Sequence, residues 1–392
     1  MSVLWGKVHF QSLLEAYEAR LQKVQWWWEV DPVLFWAVLI LSLFGSLMVF
    51  SASMTTALYA YGDVFFFLKR HLLALGLGML GCFGTTFLSL ERLRKMSKKL
   101  LLFVLLLLFL VFVPGIGRAG GGAYRWVDLG PLNFQPSELA KFAIILYMAD
   151  ALVTYRERVR DFWRGVVPFL ILVGMMCLLV LLEPDLGTAL FLLFLALVMI
   201  FLGGGNVAHL LLVAAVLAPL GLFLLFFGKG YWMDRIVAFF NPWSDPRGKG
   251  FHILQSLVAL GSGGLWGRGL GESRQKFFFL PDRHTDFIYA IIGEELGFVG
   301  TALVAVLFGI ILWRGWRIAL QSDDEFEALL SMGIVASILF QALINMGAVL
   351  KFLPVTGITL PLVSYGSSSL FVTLGEIGIL FNVARRRKRK VE

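Results

Sequence analysis

Hydrophobic residues fall along the chain in continuous runs of about 16–22, close to the ~20 that a membrane-spanning helix needs. The runs do not alternate with polar residues, which excludes a transmembrane β-barrel. The pattern predicts an all-α polytopic integral membrane protein with about ten transmembrane helices. We place these spans at residues 33–53, 72–90, 98–114, 136–153, 165–183, 186–202, 207–227, 287–313, 327–347 and 368–384.

Basic residues set the predicted orientation of the spans. Lys and Arg concentrate in segments 91–99, 154–164 and 314–326 and in the C-terminal tail. The positive-inside rule places such segments in the cytoplasm, so both the N- and C-termini are predicted to be cytoplasmic. The opposite side then receives one long extracytoplasmic loop, about 228–286, between the seventh and eighth helices. Its glycine turns and its helical pattern from His252 to Leu260 predict a folded segment.

These patterns divide the chain into three regions. Residues 1–31 alternate apolar and charged positions at helical spacing, which predicts a cytoplasmic amphipathic helix on the membrane surface. Residues 32–384 form the transmembrane domain, and residues 385–392 form a basic cytoplasmic tail.

Composition agrees with a membrane protein. The chain is 59% hydrophobic and 15% charged, whereas soluble proteins have roughly 25% charged residues. The net charge of +8 comes largely from the basic segments beside the spans, so it does not indicate nucleic-acid binding. Cys82 and Cys177 lie inside apolar runs and are interpreted as buried hydrophobic residues. The five histidines have no metal-ligand spacing.

Two charged motifs occur at the ends of predicted spans, and each has a structural and a functional interpretation. Glu138 and Lys141 share a helix face and form either a structural ion pair or part of a polar cavity. Glu183-Pro184-Asp185 is either a polar turn between two spans or a pair of carboxylates lining that cavity.

Asp286 is the sharpest catalytic candidate, because it precedes a strongly apolar run beside Arg283 and His284. Burial would raise its pKa and a nearby cation would lower it, a balance that suits a general base. The alternative is that Thr285 or Asp286 caps the following helix. Two turns later, one of Glu294 and Glu295 is expected to face the cavity and the other to pair with a neighbouring helix.

Ser364 begins a serine-rich segment before the last span, where hydroxyl groups and backbone amides could cap the helix or hold an anion such as pyrophosphate. The motifs of nucleotide-binding proteins, serine hydrolases and zinc proteases are absent from the chain. Energy for any reaction must therefore come with the substrate or from a gradient.

Several motifs together resemble the SEDS proteins of bacterial cell-wall synthesis. They follow the family's order and span nearly all of the chain after the amphipathic segment. The motifs are Arg125-Trp126, Gln135-Pro136-Ser137-Glu138-Leu139-Ala140-Lys141, Glu183-Pro184-Asp185-Leu186-Gly187, Asn241-Pro242-Trp243, His284-Thr285-Asp286-Phe287 with Glu294-Glu295-Leu296-Gly297, and Leu360-Pro361-Leu362-Val363-Ser364-Tyr365-Gly366.

The resemblance implies an inverting peptidoglycan glycosyltransferase that polymerises lipid II and releases undecaprenyl pyrophosphate. It implies that Asp286 is the general base and that Trp126, Glu138 and Lys141 line the cavity. Further candidate substrate-binding residues are Glu183, Asp185, His284 and Ser364, and the candidates to meet the pyrophosphate are Arg125, Arg283 and Lys351. A divalent cation, Mg²⁺ or Mn²⁺, is a possible cofactor, with no ligand assigned.

The resemblance also implies a bacterial inner-membrane location at the division septum. Phe240-Asn241-Pro242-Trp243 and Ser273-Arg274-Gln275-Lys276 favour the division branch of the family. Pro354-Val355-Thr356-Gly357 and Arg283 before His284 favour the elongation branch, and we favour division. Expected partners are a class B penicillin-binding transpeptidase and other division proteins. A lipid II flippase and a scaffold for the transpeptidase are the competing functions.

Overall fold

The computed structural model describes residues 30–115, 117–120, 123–128, 133–227, 230–277 and 279–391. The amphipathic helix predicted within residues 1–31 therefore lies almost entirely outside the described residues. The helices are α1 (Pro32–Tyr61), α2 (Phe66–Phe87), α3 (Leu90–Leu110), α4 (Pro136–Thr154), α5 (Val167–Leu182), α6 (Leu186–Leu202), α7 (Val207–Phe227), α8 (Gly230–Phe240), α9 (Phe251–Gly263), α10 (Ile288–Leu320), α11 (Glu325–Val349) and α12 (Ser367–Val391).

Each of the ten predicted spans falls on one of these helices. Among the described residues, six helices are both long and apolar enough to cross a membrane, and further apolar helices are shorter. The prediction of a polytopic helical membrane protein is confirmed, while the number of crossings and the side on which each loop lies stay predictions. The predicted helix at His252–Leu260 is also confirmed, as part of α9.

One element was not predicted. Within the glycine-rich segment 115–135, strands β1 (Gly117–Gly120), β2 (Ala123–Asp128) and β3 (Asn133–Phe134) form an antiparallel sheet in the order β1-β2-β3. The all-α prediction is therefore incomplete, because the protein also contains this small β-sheet. Strands β1 and β3 have only four and two residues, and only β2, with Tyr124 and Trp126 at alternate positions, carries part of the pattern that identifies a strand.

Local signals define the ends of α1. Asp31 accepts a hydrogen bond from the backbone N–H of Leu34 at 3.0 Å, and Pro32 occupies the first helical position. The helix ends at Gly62, whose φ of 69° places it in the left-handed region that glycine adopts readily.

Of the six long apolar helices, α11 and α12 have the largest buried share. Helix α2 packs along α12, α1 packs against α10, and α4 packs against α3, α6 and α11. The eighth predicted span is not one straight helix, because α10 is interrupted at Gly297, where φ is 65°. Backbone amides of Arg268 and Gly269 bond to the carbonyl groups of Glu294 and Glu295, which the interruption leaves free.

The predicted cytoplasmic segments meet at one end of the helix bundle, which we call the basic end. Four ion pairs join helix ends there, as the shared orientation of these segments requires. They are Arg314–Asp31, Arg94–Asp150, Arg156–Glu325 and Arg386–Glu327. The long loop and Asp286 belong to the opposite end, which we call the loop end.

Candidate active site

The backbone around Asp286 is held in place by donors from two other parts of the chain. Three successive carbonyl groups before α10 each accept a hydrogen bond, one from a backbone N–H and two from side chains. The bonds are Tyr365 N to His284 O at 2.9 Å, Ser364 Oγ to Thr285 O at 2.6 Å, and Asn345 Nδ2 to Asp286 O at 2.8 Å. This clamp fixes Asp286 relative to α11 and to the segment before α12.

The side chain of Asp286 is half-buried, and no hydrogen bond joins it to another described residue. The capping alternative is wrong, because the first turn of α10 has no side-chain cap. Thr285 instead donates its hydroxyl to the carbonyl of Asp282 at 3.1 Å. Asp286 is thus a positioned carboxylate whose oxygen atoms are available to a substrate.

The pKa of Asp286 is raised to about 7, and burial is the largest cause. Asp282 and, more weakly, Asp185 also raise this pKa, whereas Arg235 and, more weakly, Arg125 lower it. A carboxyl group with this pKa is close to half ionised at neutral pH, where a general base works best. The site therefore unites Asp286 with the predicted residues Arg125 and Asp185.

Sequence reasoning missed Arg235. This residue lies on α8 within the long loop, where basic residues carry little information about topology. Its guanidinium donates to the carbonyl of Val355 at 3.1 Å and acts electrostatically on Asp286. Arg235 comes close enough to act on Asp286 only because the loop folds over the end of the bundle, so no sequence motif could have identified it.

Arg125 on β2 links the sheet to the turn between α5 and α6. Its Nε atom donates to the carbonyl of Glu183 at 2.9 Å, and its Nη1 atom lies 4.0 Å from the carboxylate of Asp185. Asp185 also accepts the backbone N–H of Thr188 at 3.0 Å and so caps α6. Asp185 therefore stabilises the turn, while a role for its carboxylate in lining the cavity stays a prediction. The adjacent Trp126 is partly buried on the same strand.

Glu183 differs from Asp185, because neither of its carboxylate oxygens has a hydrogen-bond partner among the described residues. Only 1% of the residue is exposed. Glu183 is thus a buried carboxyl group without a polar partner among these residues.

Glu138 and Lys141 form the predicted ion pair, with 2.7 Å between Oε2 and Nζ. Lys141 also donates to Gln341 at 2.6 Å, and Gln341 donates to Ser369 at 3.1 Å. Glu376 interacts electrostatically with both members of the pair. The pair therefore belongs to a buried polar network between α4, α11 and α12, and sequence reasoning had not linked Glu376 to it.

Three predicted residues have surroundings that the sequence did not reveal. Arg283 is buried, and its guanidinium donates to the carbonyls of Ala52 at 3.2 Å and Leu280 at 3.2 Å. It therefore fastens the loop to the end of α1. His284 packs beside aromatic rings, and burial, followed by Arg283, lowers its pKa to about 4, so it is neutral. Lys351 is half-exposed and has a φ of 59°.

Neither Glu294 nor Glu295 is free to serve a cavity, so that half of the expectation is wrong. The other half, that one of them pairs with a neighbouring helix, holds for Glu295, which bonds to Ser51 of α1. Glu294 accepts the backbone N–H of Arg274 at 3.0 Å and that of Gln275 at 3.2 Å. Glu295 accepts the hydroxyl of Ser51 at 2.7 Å and lies 3.6 Å from the ammonium of Lys276. Both carboxylates fix the loop to the helices.

No group of three or more His, Cys, Asp or Glu side chains within the described part of the chain is arranged to hold a metal ion. A Mg²⁺ or Mn²⁺ ion, which the sequence left open, stays a prediction with no ligand assigned.

The fold and the site together define a polytopic membrane protein that presents a positioned, unpaired carboxylate between two arginines at one end of its helix bundle. Comparison with known proteins identifies the family. Residues 32–389 match the model of the cell cycle proteins FtsW, RodA and SpoVE. The chain belongs to this family.

Similar proteins come from several bacteria. The chain is 43% identical to stage V sporulation protein E of Bacillus subtilis, over 91% of this chain and 97% of that protein. It is 42% identical to the probable peptidoglycan glycosyltransferase FtsW of Geobacter sp. M18, over the same shares. A solved chain of a peptidoglycan synthase complex superposes with a TM-score of 0.76 at 35% identity, over 91% of this chain and 98% of that one.

Proposed function

We propose that this protein is a peptidoglycan glycosyltransferase that polymerises lipid II into β-1,4-linked glycan strands for the division septum. The FtsW relatives carry this activity in their names, at 42% identity over nearly their whole length. A relative at 43% identity is named as a stage V sporulation protein.

The observation that carries the proposal is Asp286, an unpaired carboxylate with a pKa of about 7 on a clamped backbone. In the proposed reaction it accepts the proton of the acceptor GlcNAc 4-hydroxyl. That oxygen attacks the anomeric carbon of the donor MurNAc, and the bond to undecaprenyl pyrophosphate breaks with inversion. Proton removal by a positioned base contributes roughly 10²–10⁴-fold to a rate.

The leaving pyrophosphate is at least dianionic and needs positive charge. Arg125 and Arg235 both lower the pKa of Asp286 electrostatically, and Arg283 is not among the groups that act on this carboxyl group. We therefore assign Arg125 and Arg235, in preference to Arg283, to the leaving group.

The test is polymerisation of purified lipid II by the protein together with its class B penicillin-binding transpeptidase, the expected partner. The solved synthase complex is described as coordinating polymerization and crosslinking, which supports such a pairing. We expect glycan strands from the wild type and none from Asp286→Ala. The control is Glu272→Ala, which removes an exposed carboxylate from the same loop. Full polymerisation by Asp286→Ala would overturn the assignment of the base.

A lipid II flippase remains the second candidate, because the network of Glu138, Lys141 and Glu376 is buried between the central helices. Translocation of lipid II in liposomes that contain Asp286→Ala protein would support it. Polymerisation without translocation would exclude it.

A further inference from the structure

Two adjoining cavities at the basic end differ sharply in character. The first has a volume of 210 Å³ and is lined by Asp31, Pro32, Arg314, Arg317, Gln321 and Ala384, among others. The second has a volume of 410 Å³ and is an apolar groove between α1, α2 and α12, lined by residues such as Trp36, Met79, Cys82, Phe83 and Phe381. Both are lined by Pro32, so they are contiguous at the start of α1.

The polar cavity carries a net positive charge. Arg314 is neutralised by Asp31, whose carboxylate accepts from its Nε atom at 3.1 Å. Arg317, one turn later on α10, is exposed, and no ion pair or hydrogen bond joins its side chain to another described residue. Arg385 follows the lining residue Ala384 in the sequence. Its guanidinium lies 4.4 Å from the centre of the Phe87 ring. An anionic group in this cavity would meet Arg317 directly.

Exposed tryptophans mark the level of the membrane surface. Trp36 and Trp313 are 57% and 56% exposed, and they lie on the helix ends that form the two cavities. Tryptophan concentrates where lipid headgroups meet the hydrocarbon region. The polar cavity therefore lies at headgroup level, while the groove continues along α1 into the hydrocarbon region.

We propose that the two cavities form a binding site for one anionic phospholipid of the adjacent leaflet. Its headgroup phosphate pairs with Arg317 in the polar cavity, and one acyl chain fills the groove between α1, α2 and α12. Charge complementarity selects the headgroup, because basic pockets between membrane helices attract anionic lipids. The apolar lining selects a fatty acyl chain. This proposal does not depend on the proposed enzymatic function.

The test is native mass spectrometry of the full chain in non-ionic detergent with palmitoyl-oleoyl phosphatidylglycerol or the matching phosphatidylcholine. We expect the wild type to retain the anionic lipid preferentially. Arg317→Gln should weaken binding of phosphatidylglycerol about fivefold, the effect of one basic residue near a lipid surface. The matched control is Arg160→Gln, an exposed arginine outside both cavities. Met79→Trp, which fills the groove, should weaken binding of both lipids.

Three outcomes would overturn the proposal. The first is equal retention of both lipids by the wild type, and the second is equal effects of Arg317→Gln and Arg160→Gln. The third is full displacement of the lipid by inorganic phosphate or preferential binding of a polyprenyl phosphate, which would assign the site to a different phosphate source. A melting curve of each variant shows whether it is folded.

Discussion

Asp286 and the pair Glu294 and Glu295 lie within about three turns of chain, yet their surroundings differ in almost every respect. The two glutamates are fully buried, and each is bonded to hydroxyl, amide or ammonium donors. Asp286 is half-buried, and its backbone carbonyl, but not its carboxylate, is bonded. The glutamates hold the loop, whereas Asp286 is held by its surroundings.

The difference separates two uses of a carboxylate near a membrane. A buried charge with all of its partners is an anchor, and its loss exposes those partners to an apolar environment. A carboxylate that is positioned through its backbone keeps its oxygen atoms for a substrate, and its partial burial raises its pKa toward neutrality. Sequence proximity alone would have given all three residues one role.

The largest expected effect on stability is at Glu295. Replacing Glu295 with Ala leaves the ammonium of Lys276, which has no exposed surface, without its carboxylate. Breaking a buried ion pair in this way costs about 3–5 kcal/mol. We expect a large fall in the melting temperature of the detergent-solubilised protein, measured by intrinsic fluorescence.

The double variant Glu295→Leu with Lys276→Met sharpens this prediction. Because it removes both charges, it should recover most of the lost stability. Glu272→Ala, at an exposed carboxylate, serves as the control and should change stability by only about 0.5 kcal/mol. An unchanged melting temperature for Glu295→Ala would show that Glu295 is not an anchor.

A smaller effect is expected at Ser364, and it should appear in the rate of polymerisation. Ser364→Ala removes the hydroxyl that donates to the carbonyl of Thr285 at 2.6 Å. One neutral hydrogen bond contributes about 0.5–1.5 kcal/mol, so the loss of positioning should lower the rate by up to roughly tenfold. The pH profile should keep its shape, because Asp286 itself is intact.

The matched control for Ser364→Ala is Ser262→Ala. Ser262 donates only to a carbonyl of its own helix, that of Ala259 at 3.0 Å. Its replacement should leave the rate unchanged. If the two variants were equally active, the clamp would have no part in positioning Asp286.

Much of the fold could be predicted from the sequence, because hydrophobic runs are a direct record of burial in a bilayer. Each predicted span is a helix, and the basic segments meet at one end of the bundle. The sheet at 117–134 and the interruption of α10 at Gly297 were not predicted. The sheet is made of short strands that are adjacent in sequence, and the interruption is paired with backbone amides of Arg268 and Gly269 in the long loop. Hydropathy records neither kind of backbone pairing.

The site was predictable as a set of residues but not as an arrangement. Asp286, Arg125 and Asp185 are brought together as expected. Arg283 is directed into the protein instead, and Arg235 takes a place near Asp286 that no motif had marked. Arg235, and not Arg283, acts on Asp286 because of how the long loop folds over the bundle, which is a property of tertiary packing.

The most direct test of the central claim is the pH dependence of lipid II polymerisation. Asp286 must be ionised to accept a proton, and burial raises its pKa to about 7. The rate should therefore fall about tenfold per unit as the pH drops below this value and level off above it. Arg235→Gln should move the profile to higher pH, because the arginine lowers the pKa of Asp286. A wild-type rate that is flat from about pH 5.5 to 8.5 would contradict a general base at Asp286.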